Sequence, residues 1–537
     1  MDQLKKHWLI YFLLLILILI TYGNSLNNAF LSDDLAEIVE NPNIGNFKNI
    51  SAHPFGFIRP LLYWIVFHIV GLNQIMFRSL NLLFHIGSVF LVYTLFNFLY
   101  NKKLAIFVAA IFSIHPAISE AVVWISGGMY PQYTFFFLLS FLFYILSVKK
   151  GQFLLLSSIF FLLSFMSHPQ MPLSLFLLFP LWEFSFGNLK KNWKKSIPFV
   201  IITIVYVLVA FSALPERTTT LQSLHYQEGG IDNPLILIPI AITSYFELIF
   251  FPKTLTLYHS ELAFGNIELV VRGLITLLFF IGILISFKTS KFIFFWSSLF
   301  FIALSPTLTP FRLNWIVAER YLYLPILGIL VVVGFGIENL GKILKLKWLL
   351  YVLLILFVIP LSVRTIMRNI DWKNEDNLWI ATGKTSPSSP NTHNNLGDVY
   401  GRWGDKQRAL QEFQRAIELK PNYGDAYHNL ANTYMELGQV DKALENYQNA
   451  IKYNPNLWQS NQNIAAIYFQ QKLYDKTLEY IQKAIQINPK NINLYNNLAI
   501  VYLSMGEKQK AFDVFNTVLR MDPQNQLARQ GAIEASK

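Results

Sequence analysis

Residues 8–23 read WLIYFLLLILILITYG, an apolar run close to the length of about 20 residues that crosses a bilayer as a helix. Lys5 and Lys6 precede it, as they would in a secretory signal. No small-residue cleavage site follows, so we interpret the run as a membrane anchor that is retained.

Ten further apolar runs follow before Asp371, and each is predicted to span the membrane, which gives eleven spans. They are 76–100, 104–118, 131–148, 152–167, 170–186, 197–213, 268–287, 292–305, 323–340 and 348–363. Segment 234–252 is read as a re-entrant or interfacial element, with a twelfth span as the alternative.

The composition of the 537 residues excludes several classes of protein. The chain is 54% apolar and 14% charged, with a mean hydropathy of +0.39, whereas soluble domains average about 25% charged residues. Disordered, collagen-like and single soluble domains are therefore excluded. Because there is no cysteine, disulfides, thiolate metal sites and cysteine nucleophiles are excluded as well.

The net charge of +11 lies almost entirely in the apolar part of the chain. Residues 1–370 carry 25 Lys and Arg against 15 Asp and Glu, and residues 371–537 carry 18 against 17. The lysines recur in clusters between spans, as cytoplasmic loops do. We therefore expect membrane lipids rather than nucleic acid as the partner of this charge, a cytoplasmic N-terminus, and a C-terminal part outside the cytoplasm.

The C-terminal part is a repeat array, because prolines recur in it at one constant interval. They are Pro387, Pro421, Pro455, Pro489 and Pro523. Each unit carries small and aromatic residues at fixed positions, a pattern that resembles the tetratricopeptide repeat. The third unit departs from it, with Lys472 where glycine is usual.

The predicted fold class is all-α: a polytopic membrane domain followed by an α-solenoid of repeats. The predicted domains are 1–370 for the membrane part, 371–389 for a linker and 390–537 for the repeats, with units near 390–423, 424–457, 458–491 and 492–525. Amides recur on the first helix of these units and could bond an extended peptide or simply face solvent; they are Asn394, Asn395, Asn429, Asn463, Asn496 and Asn497.

Three motifs in order along the chain carry a resemblance. They are FLSDDLAEIVENPNI at 30–44, HPAISEAVVWISGG at 115–128 and VAERYLYLP at 317–325. Together with the repeats they are similar to the transmembrane-and-tetratricopeptide protein O-mannosyltransferases, membrane enzymes of the GT-C superfamily. The resemblance implies a catalytic acidic motif in the first external loop and repeats outside the cytoplasm.

Matching the family motifs position by position identifies the residues of this chain that the resemblance implies are functional. They are the acidic pair Asp33 and Asp34, then Arg59, His115, Glu120, Glu319, Arg320 and Tyr321. Two positions depart from the family pattern: Gly127-Gly128 stands where Gly-Arg is expected, and Ser167-His168 where Lys-Glu is expected. The identity of the sugar is left open.

An inverting sugar transfer needs a base on one face of the sugar and cations at the leaving phosphate. We assign Asp33 as the base, with Asp34 or Glu120 orienting the acceptor. Arg320 and Arg312 are expected at the lipid phosphate, with Arg59 as a further candidate. For the charged pair 319–320, an interfacial ion pair is an equally good interpretation.

The predicted function is transfer of mannose or a similar sugar from a polyprenyl-phosphate donor to protein Ser or Thr hydroxyls, with the repeats recruiting acceptors. No cofactor is assigned. The residues are compatible with a divalent metal, but no paired ligand spacing is present, so no metal ligand is assigned. The alternatives are a lipid-linked glycan ligase or polymerase and a non-enzymatic scaffold. The short loops favour a bacterial inner membrane over the endoplasmic reticulum.

Overall fold

A computed structural model of the chain describes residues 2–51, 56–148, 150–212, 233–308 and 315–537. Every regular element in these ranges is a helix, as the sequence predicts. The chain divides into two compact units, Met1–Ala381 and Thr382–Lys537.

The first unit contains long apolar helices joined by short ones. Its α-helices are Asp2–Tyr22, Phe47–Ser51, Ile58–Val70, Gln74–Leu99, Lys102–Ile114, Ser119–Val123, Met129–Ser147, Phe153–Ser167, Leu178–Phe186, Leu189–Asn192, Ile197–Ser212, Pro234–Phe250, Asn266–Thr289, Lys291–Leu304, Ile326–Ile343 and Leu349–Asp371. Short 3₁₀ or π turns that matter for the site are Leu35–Val39, Pro116–Ile118, Ser126–Gly128 and Glu319–Leu322.

Seven helices in the described ranges are long and apolar enough to cross a membrane. An eighth results if Lys102–Ile114 and Pro116–Val123, which meet at a bend of 59°, form one broken span. All eleven predicted runs are helical, but three of them are shorter apolar helices, so this criterion supports seven or eight spans rather than eleven. Pro234–Phe250 is also one of the shorter helices, and its place relative to the membrane stays a prediction.

The bend in the broken span has a local cause. Proline disfavours helical backbone in the residue before it, and His115 is extended, with ψ at 124°. The His115 ring then accepts a hydrogen bond from the Ala117 N–H, which starts the next turn. The chain is redirected here, and the segment that follows carries Glu120 and Ser126.

Packing in the first unit centres on Gln74–Leu99 and Lys102–Ile114. The former contacts Met129–Ser147, and the latter contacts Ile326–Ile343 and Leu349–Asp371. A buried arginine, Arg78, holds the first loop (residues 23–46) onto this core: its guanidinium donates to the carbonyls of Leu26, Asn28, Ala29 and Val123.

The end of the last long helix also contacts the first loop. The Ala29 N–H donates to the Lys373 carbonyl at 2.9 Å, and the Asn28 side chain donates to the Asn369 carbonyl at 3.0 Å. Asn369 in turn donates to the Thr21 carbonyl. The two ends of this unit therefore meet at the loop that carries the acidic motif.

The second unit is an array of helix pairs, each joined by a tight turn. The pairs are Pro390–Arg402 with Lys406–Leu419, Gly424–Glu436 with Val440–Tyr453, Trp458–Gln470 with Tyr474–Ile487, and Ile492–Ser504 with Lys508–Met521, followed by Gln526–Ser536. Small residues allow close packing: a Cβ at Gly397 would overlap the ring of Phe413.

The turns of the helix pairs require left-handed backbone. Gly404, Gly438 and Gly506 have φ of 79°, 72° and 78°, and Lys472 takes the same position in the third pair with φ of 61°. The atypical unit therefore keeps the repeat geometry. Left-handed backbone costs a residue with a Cβ about 1–2 kcal/mol.

We expect Lys472→Gly to stabilise the third repeat by about 0.5–1 kcal/mol, because relief of the left-handed strain exceeds the added entropy of glycine in the unfolded chain. Native-state hydrogen exchange of residues 458–487 measures the change. Lys472→Ala is the matched control, since it removes the same side chain but keeps the Cβ. Equal stability of the two variants would contradict the strain argument.

Candidate active site

Asp34 lies at the centre of the first loop and is fully buried. Its carboxylate accepts from the Ser126 N–H at 2.8 Å, lies 2.6 Å from the Ser126 hydroxyl, and accepts from the Leu31 N–H at 3.2 Å. Burial raises the pKa of Asp34 to about 6, although the bonds from Ser126 and Leu31 oppose the rise. The structure thus gives Asp34 protein partners rather than an open face.

Asp33 points the other way, as adjacent side chains are expected to do, and is exposed. Its charge acts on the phenol of Tyr258. Burial and Asp33 raise the pKa of that phenol to about 12, and Arg320 works against them. The charges of Asp33 and Arg320 therefore act on this tyrosine in opposite directions.

Glu37 extends the Asp34 network toward solvent. Its carboxylate lies 3.0 Å from the Ser126 hydroxyl and 2.6 Å from Arg59. Because a hydroxyl carries one proton, Ser126 donates to either Asp34 or Glu37 at a given moment. Arg59 also donates to the Ser126 carbonyl at 3.0 Å, so the structure places it with this loop, where two of its nitrogens are already bonded.

The segment 124–128 fits closely against the helix Gln74–Leu99. Asn81 donates to the carbonyls of Trp124 and Ile125 at 2.8 and 3.1 Å. A Cβ at Gly128 would overlap the Asn81 side-chain oxygen, so any larger residue at this position would require Asn81 to move.

Glu120 and Arg320 form a buried ion pair. The carboxylate of Glu120 lies 2.6 Å from Arg320 Nη1 and accepts from the Arg320 N–H at 3.0 Å. Glu120 is fully buried, while the Arg320 side chain keeps 12% exposure. The guanidinium also lies over the rings of Trp124 and Tyr321 at 5.6 and 5.2 Å. Glu120 therefore fixes the position of the cation.

Glu319 is a second buried acid, next to Arg320 along the chain. It accepts from the Thr256 N–H and from Arg368, the latter at 3.2 Å. Burial raises the pKa of Glu319, Arg368 opposes the rise and Glu120 adds to it. Its oxygen Oε2 is buried without a hydrogen-bond partner among the described residues. His259 is 3.9 Å away and neutral, since burial lowers its pKa to about 3.

The two histidines singled out in the sequence, His115 and His168, have structural partners. His115 is buried, and its Nε2 bonds the Ile249 carbonyl at 3.0 Å. His168 accepts from the N–H groups of Gln170 and Met171 and packs edge-on against Tyr130. In the part of the chain that the structure describes, no three acidic or histidine side chains are grouped closely enough to hold a metal ion. Arg312 lies outside the described residues.

Sequence reasoning missed Ser126, Glu37 and Arg368. Ser126 and Arg368 contact their acids only through the fold, and no local pattern marks them. Glu37 had a usable signal, because it is an external acid that closely follows Asp34.

The repeat asparagines bond one another across neighbouring units. Asn429 donates to Asn394 at 3.1 Å, and Asn463 donates to the Asn432 oxygen at 3.1 Å. Tyr447 also donates to Asn432 at 2.6 Å. These amides therefore connect the units as well as lining their first helices.

Comparison with known families supports both halves of the sequence interpretation. Models described as Tetratricopeptide repeat match residues 424–457 and 458–524, and one described as TPR repeat matches 403–438. A solved tetratricopeptide repeat protein from Parabacteroides merdae shares 22% identity and covers 30% of this chain and 64% of its own, with a TM-score of 0.27.

Three curated relatives are named protein O-mannosyl-transferases. Human TMTC3 is 25% identical over 75% of this chain and 50% of its own length, and human TMTC1 is 24% identical over 75% and 54%. Drosophila melanogaster Tmtc2 is 34% identical over 21% of this chain and 12% of its own. The chain spans about half the length of the two human relatives. The predicted resemblance to this group is confirmed.

The raised pKa of Asp34 predicts a pH-dependent loop. The folded state holds this proton more tightly than the unfolded chain, so the stabilisation is complete below about pH 4 and is lost as the pH rises through 6. The loss amounts to about 3 kcal/mol at most. Asp34→Asn should abolish this dependence.

Hydrogen exchange of the amides of Leu35–Val39 between pH 4 and 7 measures the effect. Glu40→Gln, an exposed acid on the same loop, should keep the wild-type dependence. An unchanged pH dependence in Asp34→Asn would show that another group titrates.

Proposed function

We propose that the chain is a membrane glycosyltransferase that moves mannose or a similar sugar from a polyprenyl phosphate to Ser or Thr hydroxyls of proteins. The observation that carries this proposal is the buried Glu120–Arg320 ion pair, which fixes a cation in place, together with the exposed acid Asp33 on the first loop. The names of the curated relatives support the reaction class.

In the proposed step, the acceptor hydroxyl oxygen attacks C1 of the sugar while the hydroxyl proton passes to the Asp33 carboxylate. The bond from C1 to the phosphate oxygen breaks, and the polyprenyl phosphate leaves with the electron pair. Attack opposite the leaving group inverts the configuration at C1. Asp33 suits the role of base because it is exposed and its carboxylate is separate from the buried network.

Arg320 would stabilise the charge that develops on the leaving phosphate. The ion pair with Glu120 holds the Arg320 guanidinium in place, so the cation is positioned before the donor binds. Arg368 places a second positive charge beside Glu319 in the same region. Arg312 remains a proposed phosphate ligand from the sequence.

Asp34 acts in this proposal as a positioning residue, because its carboxylate is committed to Ser126 and Leu31. It fixes the loop on which Asp33 stands. The repeats would recruit acceptor proteins, and their first helices offer the surface for it. Catalysis would take place outside the cytoplasm, where the lipid-linked sugar replaces a nucleotide sugar as donor.

Asp33→Asn should lower the rate of transfer at least a hundredfold, since general base catalysis contributes about 10²–10⁴. The measurement is transfer from a labelled polyprenyl-phosphate mannose to an acceptor peptide by purified full-length protein. Glu40→Gln should keep normal activity. Wild-type rates in Asp33→Asn would remove Asp33 as the base.

The orientation can be tested by single-cysteine labelling, because the chain contains no native cysteine. Lys191→Cys should react only with a reagent that reaches the cytoplasm, and Lys48→Cys should react from the opposite side. Labelling of both positions from one side would contradict the lysine-based topology.

A further inference from the structure

A cavity of about 160 Å³ lies between the first loop and the helix Ile58–Val70. Its polar lining includes Asn43, Asn46 and the Glu37–Arg59 pair, and Tyr63 belongs to its apolar wall. A water molecule occupies about 30 Å³ of liquid, so the cavity holds about five waters. Sites for drug-sized ligands measure about 300–1,000 Å³, so this cavity accommodates one small ring rather than a whole lipid-linked donor.

The charges in the cavity cancel. Glu37 and Arg59 lie 2.6 Å apart, and Arg59 also donates to the Ser126 carbonyl. Neither side chain carries an unbalanced charge toward the cavity. A phosphate or a cation would have to break this pair, so the lining favours a neutral ligand.

The remaining polar groups are amides with bonding capacity to spare. The Asn46 side-chain oxygen accepts from the Lys48 N–H at 3.0 Å, and the NH₂ group of Asn46 can donate to a ligand. The side chain of Asn43 makes no hydrogen bond within the described residues, and it is exposed. An amide offers both donors and an acceptor, which suits a ligand whose hydroxyl groups do both.

The other wall is apolar and includes the ring of Tyr63, which is 4% exposed and has the Arg59 guanidinium 5.8 Å from its centroid. The Tyr63 hydroxyl donates to the Ile125 carbonyl at 3.0 Å, so its polar tip is occupied and its ring is held in place. Two isoleucines and a proline complete this wall. A ligand that fits has one apolar face and an edge of hydroxyls, which is the chemistry of a hexose ring.

We propose that this cavity is a binding subsite for a neutral hexose ring, with Asn43 and Asn46 bonding its hydroxyls and an apolar wall of Ile44, Ile50 and Pro60 on its other side. The inference rests on the proposed function, which supplies two sources for such a ring: the sugar of the donor, and a sugar already attached to the acceptor. The subsite is linked to Asp34 through Ser126. Glu37, which lines the cavity, lies 3.0 Å from the Ser126 hydroxyl, and Asp34 contacts the same hydroxyl.

The test uses the full-length protein and the probe methyl α-mannoside, with binding measured by calorimetry. The double variant Asn43→Ala/Asn46→Ala should weaken binding about tenfold, because it removes two hydrogen bonds. Ile44→Phe, which narrows the cavity without changing its polar groups, should weaken binding too. Asn27→Ala, an exposed asparagine of the same loop outside the cavity, should not.

Transfer kinetics identify the source of the ring. A raised KM for polyprenyl-phosphate mannose in the double variant assigns the subsite to the donor sugar. A raised KM only for a mannosylated acceptor peptide assigns it to the acceptor. Hydrogen exchange at Ser126 checks that the loop stays folded in each variant.

Unchanged binding of methyl α-mannoside in both cavity variants would overturn the subsite, as would the absence of binding by the wild-type protein. If Asp33→Asn still abolishes transfer in that case, the proposed function stands without the subsite. If Asp33→Asn transfers normally while the cavity variants lose the sugar, the subsite stands and the assignment of the base falls.

Discussion

The interaction on which the outer face of this molecule depends is the burial of the Asp34 carboxylate against Ser126. A carboxylate removed from water must find donors, and most of those available to Asp34 come from a residue 92 positions later in the chain. Satisfying it fixes the first loop against the segment 124–128. The exposure of Asp33 and the contact of Glu37 with Ser126 both follow from that single placement.

The long elements could be predicted from the sequence because helices are encoded locally. Apolar runs of membrane length became helices, and the regular proline period became helix pairs, including the one whose turn contains Lys472. The ends of the shorter runs were predicted closely, since 152–167 forms the helix Phe153–Ser167. Seven or eight helices meet the length criterion for a span, because apolar composition also marks shorter buried helices such as this one of 15 residues.

The site was predictable only where chemistry is visible in single residues. The acidic pair and the Glu-Arg motif could be found, but the partners that orient them could not. Ser126 lies within the motif at 115–128, but nothing in that motif links it to Asp34, and Arg368 lies 49 positions from Glu319 and beyond the predicted span 348–363. In the low dielectric of the interior, each buried charge needs an opposite charge or a hydrogen-bond partner. That partner comes from whichever residue the fold brings close, so it leaves no local pattern in the sequence.

The contacts of Asn28 and Ala29 with the end of the last long helix bear on how the molecule is made. A membrane protein is synthesised from its N-terminus, so the acidic loop emerges first, and its final partners, Asn369 and Lys373, emerge only when the membrane part is nearly complete. Until that helix inserts, the loop lacks part of its support. A prematurely terminated chain would therefore possess the acidic motif without the contacts that hold its loop, and the loop would reach its final geometry only when the membrane part is whole.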